Sequence, residues 1–213
     1  MKLHRIISHA LAPRRGIKPM INEAHIVKTL ILLYTHGPFG RQSLSKILGT
    51  GESSIRTLIR RLKELNLVDV SKAGGAYLTK TGESVVEILL KKIVPPKIID
   101  ISDLEYLKLS RKACTMILKG FCKKYPNVLR IRDSLIRHGA EAALIICVKE
   151  GKLVLLSPQG NGIDETTIKE LNKLKTKLNI ELRNEDLILI SYADTSEKCE
   201  TSLYKFIVFE GIV

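Results

Sequence analysis

The sequence predicts an α+β chain of two units, a winged helix-turn-helix followed by a small sandwich of helices on one face of an antiparallel sheet. Three observations lead there. First, 213 residues with 45% hydrophobic and 27% charged side chains can bury a real core, which excludes a disordered chain, and the length suits two units of roughly 100 residues. Second, the positive charge is lopsided. Residues 1–97 hold 17 Lys/Arg against 6 Asp/Glu, a net +11, whereas residues 98–213 hold 18 against 16. A basic module joined to a nearly neutral one is the distribution of a polyanion binder with a partner domain. Third, the apolar period changes along the chain, helical at first and then mixed with continuous apolar runs that suit buried strands. The domain limits that follow are a basic arm at 1–20, a winged helix at 21–94, a linker at 95–104 and an α+β domain at 105–213.

Within the first unit, Asn22 is placed to cap a helix through Thr35 whose Ile26, Leu30, Leu33 and Tyr34 share one face. Gly37-Pro38-Phe39-Gly40 breaks the chain. A short helix over Arg41 to Leu48 buries Leu44 and either Ile47 or Leu48, and Gly49-Thr50-Gly51 makes a tight turn. The third helix runs from Glu52 to Leu65 with Ile55, Leu58, Ile59, Leu62 and Leu65 inward. Short strands follow at Leu67–Ser71 and Ala76–Thr79, around a Lys72-Ala73-Gly74-Gly75 tip. Thr81-Gly82-Glu83 opens a fourth helix that closes near Lys92, before Pro95-Pro96. Helix, helix, turn, helix, hairpin, helix is the order of a winged helix-turn-helix, whose third helix enters the major groove.

The outer side of that third helix carries the candidate DNA contacts. Ser53, Ser54, Arg56, Thr57 and Arg60 place hydroxyls and guanidinium forks where base edges would lie. Arg61, Lys63, Arg41 on the preceding helix and Lys72 at the wing tip are placed to neutralise phosphates. Glu52 either accepts from a cytosine amino group or complements the helix dipole. The leader adds Arg14, Arg15 and Lys18, which suit an arm in the adjacent minor groove. The alternative is a short leader helix with Leu3, Ile6, Ile7, Ala10 and Leu11 against a dimer mate. The sequence leaves both open.

In the second half, an extended stretch at Ile98–Ile101 precedes a strand over Lys112–Leu118. Pro126 stands near the start of a helix to His138 that buries Leu129, Ile131 or the stem of Arg132, Leu135 and Ile136, with Gly139 at its end. Ala142–Val148 and Lys152–Leu156 form a hairpin around Lys149-Glu150-Gly151. Asp164 caps a helix to Leu178 with Ile168, Leu171, Leu174 and Leu178 inward. Leu187–Tyr192 is a strand, and a last helix from Thr195 or Ser196 aligns Cys199, Leu203, Phe206 and Ile207. This order fits a split βαβ, ferredoxin-like sandwich, or a related repeat of two strands and a helix if Ile98–Ile101 pairs as an extra strand.

Chemistry is sparse. Cys114, Cys122, Cys147 and Cys199 lie far apart with no Cys-x-x-Cys, which excludes a zinc ribbon and suits reduced, buried thiols, while a Trp-free composition rich in Ile, Lys and Glu leans toward a thermophile and leaves intracellular disulfides open. Gly160-Asn161-Gly162 lacks the Lys-Ser/Thr of a phosphate loop and reads as a turn. Arg132-Asp133 with Arg137 and His138 reads as an intrahelical ion pair from Asp133 to Arg137 rather than a ligand pocket. No nucleophile–base set or metal-ligand spacing is present, so the expectation is a protein without catalytic site, metal or cofactor. The longest apolar run, Ala142 to Val148, is far short of the roughly 20 residues of a membrane span, and His4, Ser8 and His9 interrupt any signal-peptide core. A cytoplasmic location is expected.

Across nearly its whole length the sequence resembles an archaeal family of winged-helix transcriptional regulators whose second domain has no assigned function. The resemblance rests on Gly40-Arg41, on Leu48–Leu65 with Gly51-Glu52 and Ser54-Ile55-Arg56-Thr57, on Leu78-Thr79 with Gly82, and on Arg132-Asp133 and Gly139-Ala140. It implies a DNA-binding first domain. Together with the residues above, the expectation is a regulator that binds double-stranded DNA, as a homodimer suited to palindromic half-sites. Its second domain would dimerise, bind a small-molecule effector, or both. An RNA- or protein-binding adaptor is the other reading of the same surface.

Overall fold

A computed structural model describes residues 3–12, 20–124, 127–156 and 165–212. The chain divides into two compact units, Met1–Leu90 with Ile207–Val213, and Lys91–Phe206.

The first unit begins with α1 (Leu3–Leu11). Its Leu3, Ile6, Ile7 and Ala10 are buried within this same chain against α2 (Glu23–His36) and α4 (Glu52–Glu64), so the leader helix needs no dimer mate to cover it. Arg14, Arg15 and Lys18 lie outside the described residues. Asn22 caps α2 through a reciprocal pair of bonds: its Oδ1 accepts from the His25 N–H, and its own N–H donates to His25 Nδ1. Ile26, Val27, Leu30, Ile31 and Leu33 are buried, whereas Tyr34, expected on that face, is exposed because the buried arc turns toward Val27 and Ile31. α3 (Arg41–Leu48) buries Leu44 and Leu48 and leaves Ile47 out. Gly49, at φ +62°, gives the left-handed step between α3 and α4. β1 (Val68–Val70) and β2 (Ala76–Leu78) form the wing, antiparallel with Asp69 opposite Tyr77. Phe39 extends this ribbon by exchanging two backbone hydrogen bonds with Ala76, of 3.0 and 2.8 Å.

α5 (Lys80–Lys92) then packs closely on the wing root. Thr79 sits at the junction: its N–H donates to the Leu67 carbonyl, its Oγ1 donates to the Asn66 carbonyl and accepts from the Gly82 N–H. Gly82 is required there by close approach, since a Cβ would stand 2.1 Å from the Leu67 carbonyl oxygen.

The second unit is a five-stranded, wholly antiparallel sheet in the order β3-β4-β7-β5-β6. Its elements are β3 (Ile93–Ile99), β4 (Lys112–Leu118), α6 (Val128–Arg137), β5 (Ala142–Lys149), β6 (Lys152–Leu155), α7 (Glu165–Leu178), β7 (Leu187–Ala193) and α8 (Ser196–Phe209). Residues 95–99, expected as linker, are therefore strand. β3 is an edge strand, where Pro95 and Pro96 need no donor, and its register with β4 shifts between Val94 and Lys97. The ferredoxin-like order is also not the one formed. That order would place β4 and β6 at the centre, whereas here β7 and β5 are inside and β6 is at the edge. The reason lies in the strands: every residue of β7 is buried, and four consecutive residues of β5 are, while β6 has four residues and is half-buried.

Helices cover both faces rather than one. On one face Leu171, Leu174 and Leu178 of α7 pack with Ala113, Ile117, Ile146, Ile188, Ile190 and Tyr192. On the other, Ser191 of β7 meets Ser202 of α8 at 2.6 Å, and the Cys114 thiol donates to the Ser196 carbonyl. Burial on both faces explains why these strands read as continuous apolar runs. Ile168 is exposed, as are Leu129 and Ile136, while Ser134 takes their place on the inner side of α6 with Ile131 and Leu135. Asp133 pairs with its neighbour Arg132 at 3.2 Å. Asp164 and residues 160–162 lie outside the described residues. The thiols are not all reduced: Cys122 and Cys147 form a disulfide with a Cα–Cα distance of 5.7 Å, and Cys114 and Cys199 are buried and free.

One loop of this unit is held by a buried acid. The Glu170 carboxylate accepts the N–H groups of Glu105 (2.6 Å), Tyr106 (3.0 Å) and Leu107 (2.7 Å), and the Tyr192 hydroxyl donates to the Leu107 carbonyl. Burial works to raise the Glu170 pKa, but the three N–H bonds together outweigh it and hold the carboxyl below its ordinary value.

Candidate nucleic-acid interface

The site is built on one stripe of α4. Residues at i, i+3, i+4 and i+7 of a helix share a side, and here these are Arg56, Ile59, Arg60 and Lys63. Opposite them stands the wing, with Val70 of β1, Gly74 at the tip and Ala76 of β2; Arg41, the first residue of α3, closes one end. Together they line a concavity of about 310 Å³. Ile59 and Ala76 are buried and form an apolar floor, with Val70 40% exposed beside them, and the four basic residues stand around it.

The charges differ in how far they are already satisfied. Lys63 donates to Asp69 Oδ1 at 2.5 Å, and the same oxygen accepts the Val70 N–H at 2.7 Å. The hydrogen bond to Asp69 and the carboxylate's charge raise the Lys63 pKa, and the Lys63 ammonium with the Val70 N–H lowers that of Asp69. This pair ties the end of α4 to β1, so Lys63 holds the wing in place before it holds anything else. Arg60 lies 4.0 Å from Glu64 across an exposed i,i+4 spacing, an interaction of little energy in water. Arg41, Arg56 and Lys72 are exposed and have no ion pair among the described residues.

Two expected contacts point inward instead. Ser54 is 7% exposed, and its Oγ accepts the Met20 N–H at 3.2 Å. Arg61 is 5% exposed and donates to the Ala10 carbonyl at 2.6 Å, 51 positions away. Both are covered on the flank of α4 that α1 and the segment at Met20 occupy, so neither can reach a base or a phosphate. Thr57 is half-buried and its Oγ1 donates to the Ser53 carbonyl at 3.1 Å, whereas Ser53 itself is exposed in the first turn. The residues that sequence reasoning missed are the apolar ones, Ile59 counted only as core, and Val70 and Ala76 only as strand. The acid Asp69 was missed as well. The signal available for Val70 was its position two residues from Val68 in a three-residue strand with one buried end.

Among the described residues no group of three or more His, Cys, Asp or Glu side chains is placed to hold a metal ion, and no helix is long and apolar enough to cross a membrane.

These features define a winged helix-turn-helix unit with a basic, concave outer face, joined to an antiparallel α+β unit. Residues 24–84 match the PH0730-like N-terminal domain, and residues 109–208 match a domain of unknown function (DUF4443). The hypothetical protein PH0730 from Pyrococcus horikoshii OT3 has the same fold over 89% of this chain and 92% of its own, at 22% identity and a TM-score of 0.67. Shorter likenesses are to the transcriptional regulator Tm0710 from Thermotoga maritima and to RV1404 from Mycobacterium tuberculosis. The first has 25% identity over 32% of this chain and 50% of that one, with a TM-score of 0.30. The second has 28% identity over 42% and 62%, also with a TM-score of 0.30. No curated protein matches the chain.

Proposed function

We propose that this protein is a DNA-binding transcriptional regulator that binds duplex DNA through α4 and the wing and performs no catalysis. The observation that carries the reading is the convergence of Arg56 and Arg60 on the outer face of α4 with Arg41 of α3 beside the wing, and Lys72 at the wing's tip. In this reading α4 lies in the major groove. Ser53, Arg56 and Arg60 meet base edges there, and a guanidinium fork suits the O6/N7 edge of guanine. Arg41 and Lys72 flank the helix and meet phosphates, which fixes register without reading sequence. Lys63 reaches a phosphate only by sharing its ammonium with Asp69. The second unit serves as the dimerisation or effector-binding partner, and a dimer would present two such helices to an inverted repeat.

The test is selection of bound genomic fragments by the purified chain at two salt concentrations, followed by titration of the recovered duplex. Arg56→Ala or Arg60→Ala is expected to weaken the selected sequence by about 1–3 kcal/mol more than an unrelated duplex. Lys72→Ala weakens both alike and reduces the salt slope by about one. Equal losses on every sequence from all three changes would overturn base reading, and preference for structured RNA at matched salt would replace DNA as the ligand.

A further inference from the structure

The concavity between α4 and the wing has more shape than a phosphate contact needs. A phosphodiester meets protein through cations and N–H groups on an open surface, and it leaves an apolar floor unused. Here the floor of Ile59, Val70 and Ala76 lies beneath a rim of Arg41, Arg56 and Arg60. Water above such a floor finds few hydrogen-bond partners, while three guanidinium groups around one hollow repel each other, and the Glu64 carboxylate, 4.0 Å from Arg60 across an exposed, solvent-screened spacing, offsets little of that. Asp69, the acid on the strand that carries Val70, is committed to Lys63 and does not neutralise them. The volume of about 310 Å³ falls at the lower end of the range for small-molecule sites, which combine apolar walls with a few polar groups in this way.

We propose that this concavity is a binding site for a small organic anion with a flat apolar body, such as an aromatic carboxylate or sulfonate, and that its occupancy excludes duplex DNA. The ring lies on Ile59 and Val70, and the acid group meets Arg56 and Arg60 in a charge-assisted, forked arrangement. The exclusion half of the proposal rests on the DNA reading above, because those same two arginines are the base readers in it. An effector of this class therefore acts directly on the DNA face and needs no signal from the second unit.

The test uses the full chain and 8-anilinonaphthalene-1-sulfonate, an aromatic monoanion whose fluorescence reports binding. The expected result is saturation at one probe per chain, loss of affinity by about tenfold or more in Val70→Glu and in the double variant Arg56→Ala/Arg60→Ala, and no change in Ile98→Glu. Ile98 is an exposed apolar residue of the other unit and controls for surface adhesion. Methanesulfonate at equal ionic strength, which has the charge without the ring, should not displace the probe, and duplex DNA should. If Val70→Glu perturbs the wing, the double arginine variant still decides, since both side chains are exposed. Probe binding unaffected by the floor and rim variants would overturn the site. A ternary complex of probe, protein and DNA would overturn the exclusion while leaving the DNA reading intact. Site-specific probe binding in a chain that binds no DNA would support the anion site and remove the DNA reading.

Discussion

Replacing Gly82 by alanine should destabilise the first unit, although alanine is the better helix former. The substitution removes a glycine from the third position of α5, which by helix propensity alone would stabilise by about 1 kcal/mol. Against this, the new Cβ would stand 2.1 Å from the Leu67 carbonyl oxygen and 3.1 Å from Leu78 Cδ2. A comfortable carbon–oxygen contact is about 3.3 Å, so α5 and the start of the wing must part by about 1 Å. Overpacking of this kind costs about 1–3 kcal/mol in a core. The same carbonyl accepts the Thr79 N–H at 3.0 Å, and straining that bond adds about 1 kcal/mol. The balance is a net loss of about 1–3 kcal/mol, or a fall of roughly 4–24 °C in Tm for a unit of this size. Thermal unfolding followed by circular dichroism measures it, with Ser84→Ala on the exposed side of the same helix as the control, expected to stay within about 0.5 kcal/mol. A Gly82→Ala protein as stable as its parent, or more stable, would refute the close packing of α5 on the wing root.

Arg61→Ala should lower stability by about 2–4 kcal/mol, since it removes a buried charged donor from the Ala10 carbonyl and its packed stem. It should leave the salt slope of DNA binding unchanged in the folded population, and a reduced slope would mean that Arg61 meets a phosphate after all. Glu170→Gln should cost about 1–2 kcal/mol near neutral pH, because the amide accepts fewer of the three N–H bonds. The native carboxyl has a lowered pKa, so its stabilisation is present above the unfolded carboxylate value of about 4.3 and is lost as pH falls through the folded value. Denaturation of both proteins across that range should show the difference between them shrinking in acid; a constant difference would sink the assignment. Thiol titration of the unfolded, unreduced chain should find two free cysteines, and reduction should destabilise by about 3 kcal/mol from closure of the loop between Cys122 and Cys147. Four titrating thiols would refute the bond.

Much of the first unit was legible because its signals are local. The Asn22 cap, the break at Gly37-Pro38, the turn at Gly49 and the spacing of Ile55, Leu58, Ile59 and Leu62 each act within a few residues, and the helix limits follow from them. In the second unit β4, β5, β6 and β7 were equally readable from short apolar runs, whereas β3 was not. Strand order was not, because β4, β5 and β7 are all covered on both faces and none carries an alternation to rank it. Pro95-Pro96 suggested a linker because a proline removes a donor, and only the sheet shows that the pair lies in an edge strand, at a shift of register. The cysteine pairing was hidden for a related reason: four cysteines offer six possible pairs for a single bond, and distance in space chooses among them.

The interface divides along the same line. Composition and helical period by themselves determined that the first unit is basic, that it contains a third helix of the right kind, and that arginines line the outer part of it. Tertiary structure alone decided which of those side chains are available. Ser54 and Arg61 belong to the same helix as Arg56 and Arg60 and look alike in sequence, but partners near Met20 and Ala10 cover them. Their burial is set by chain segments roughly 30 to 50 positions away, which no local periodicity records. The concavity arises in the same manner, from a helix stripe and a wing that become neighbours only when Lys63 meets Asp69 and α5 closes on the wing root around Gly82.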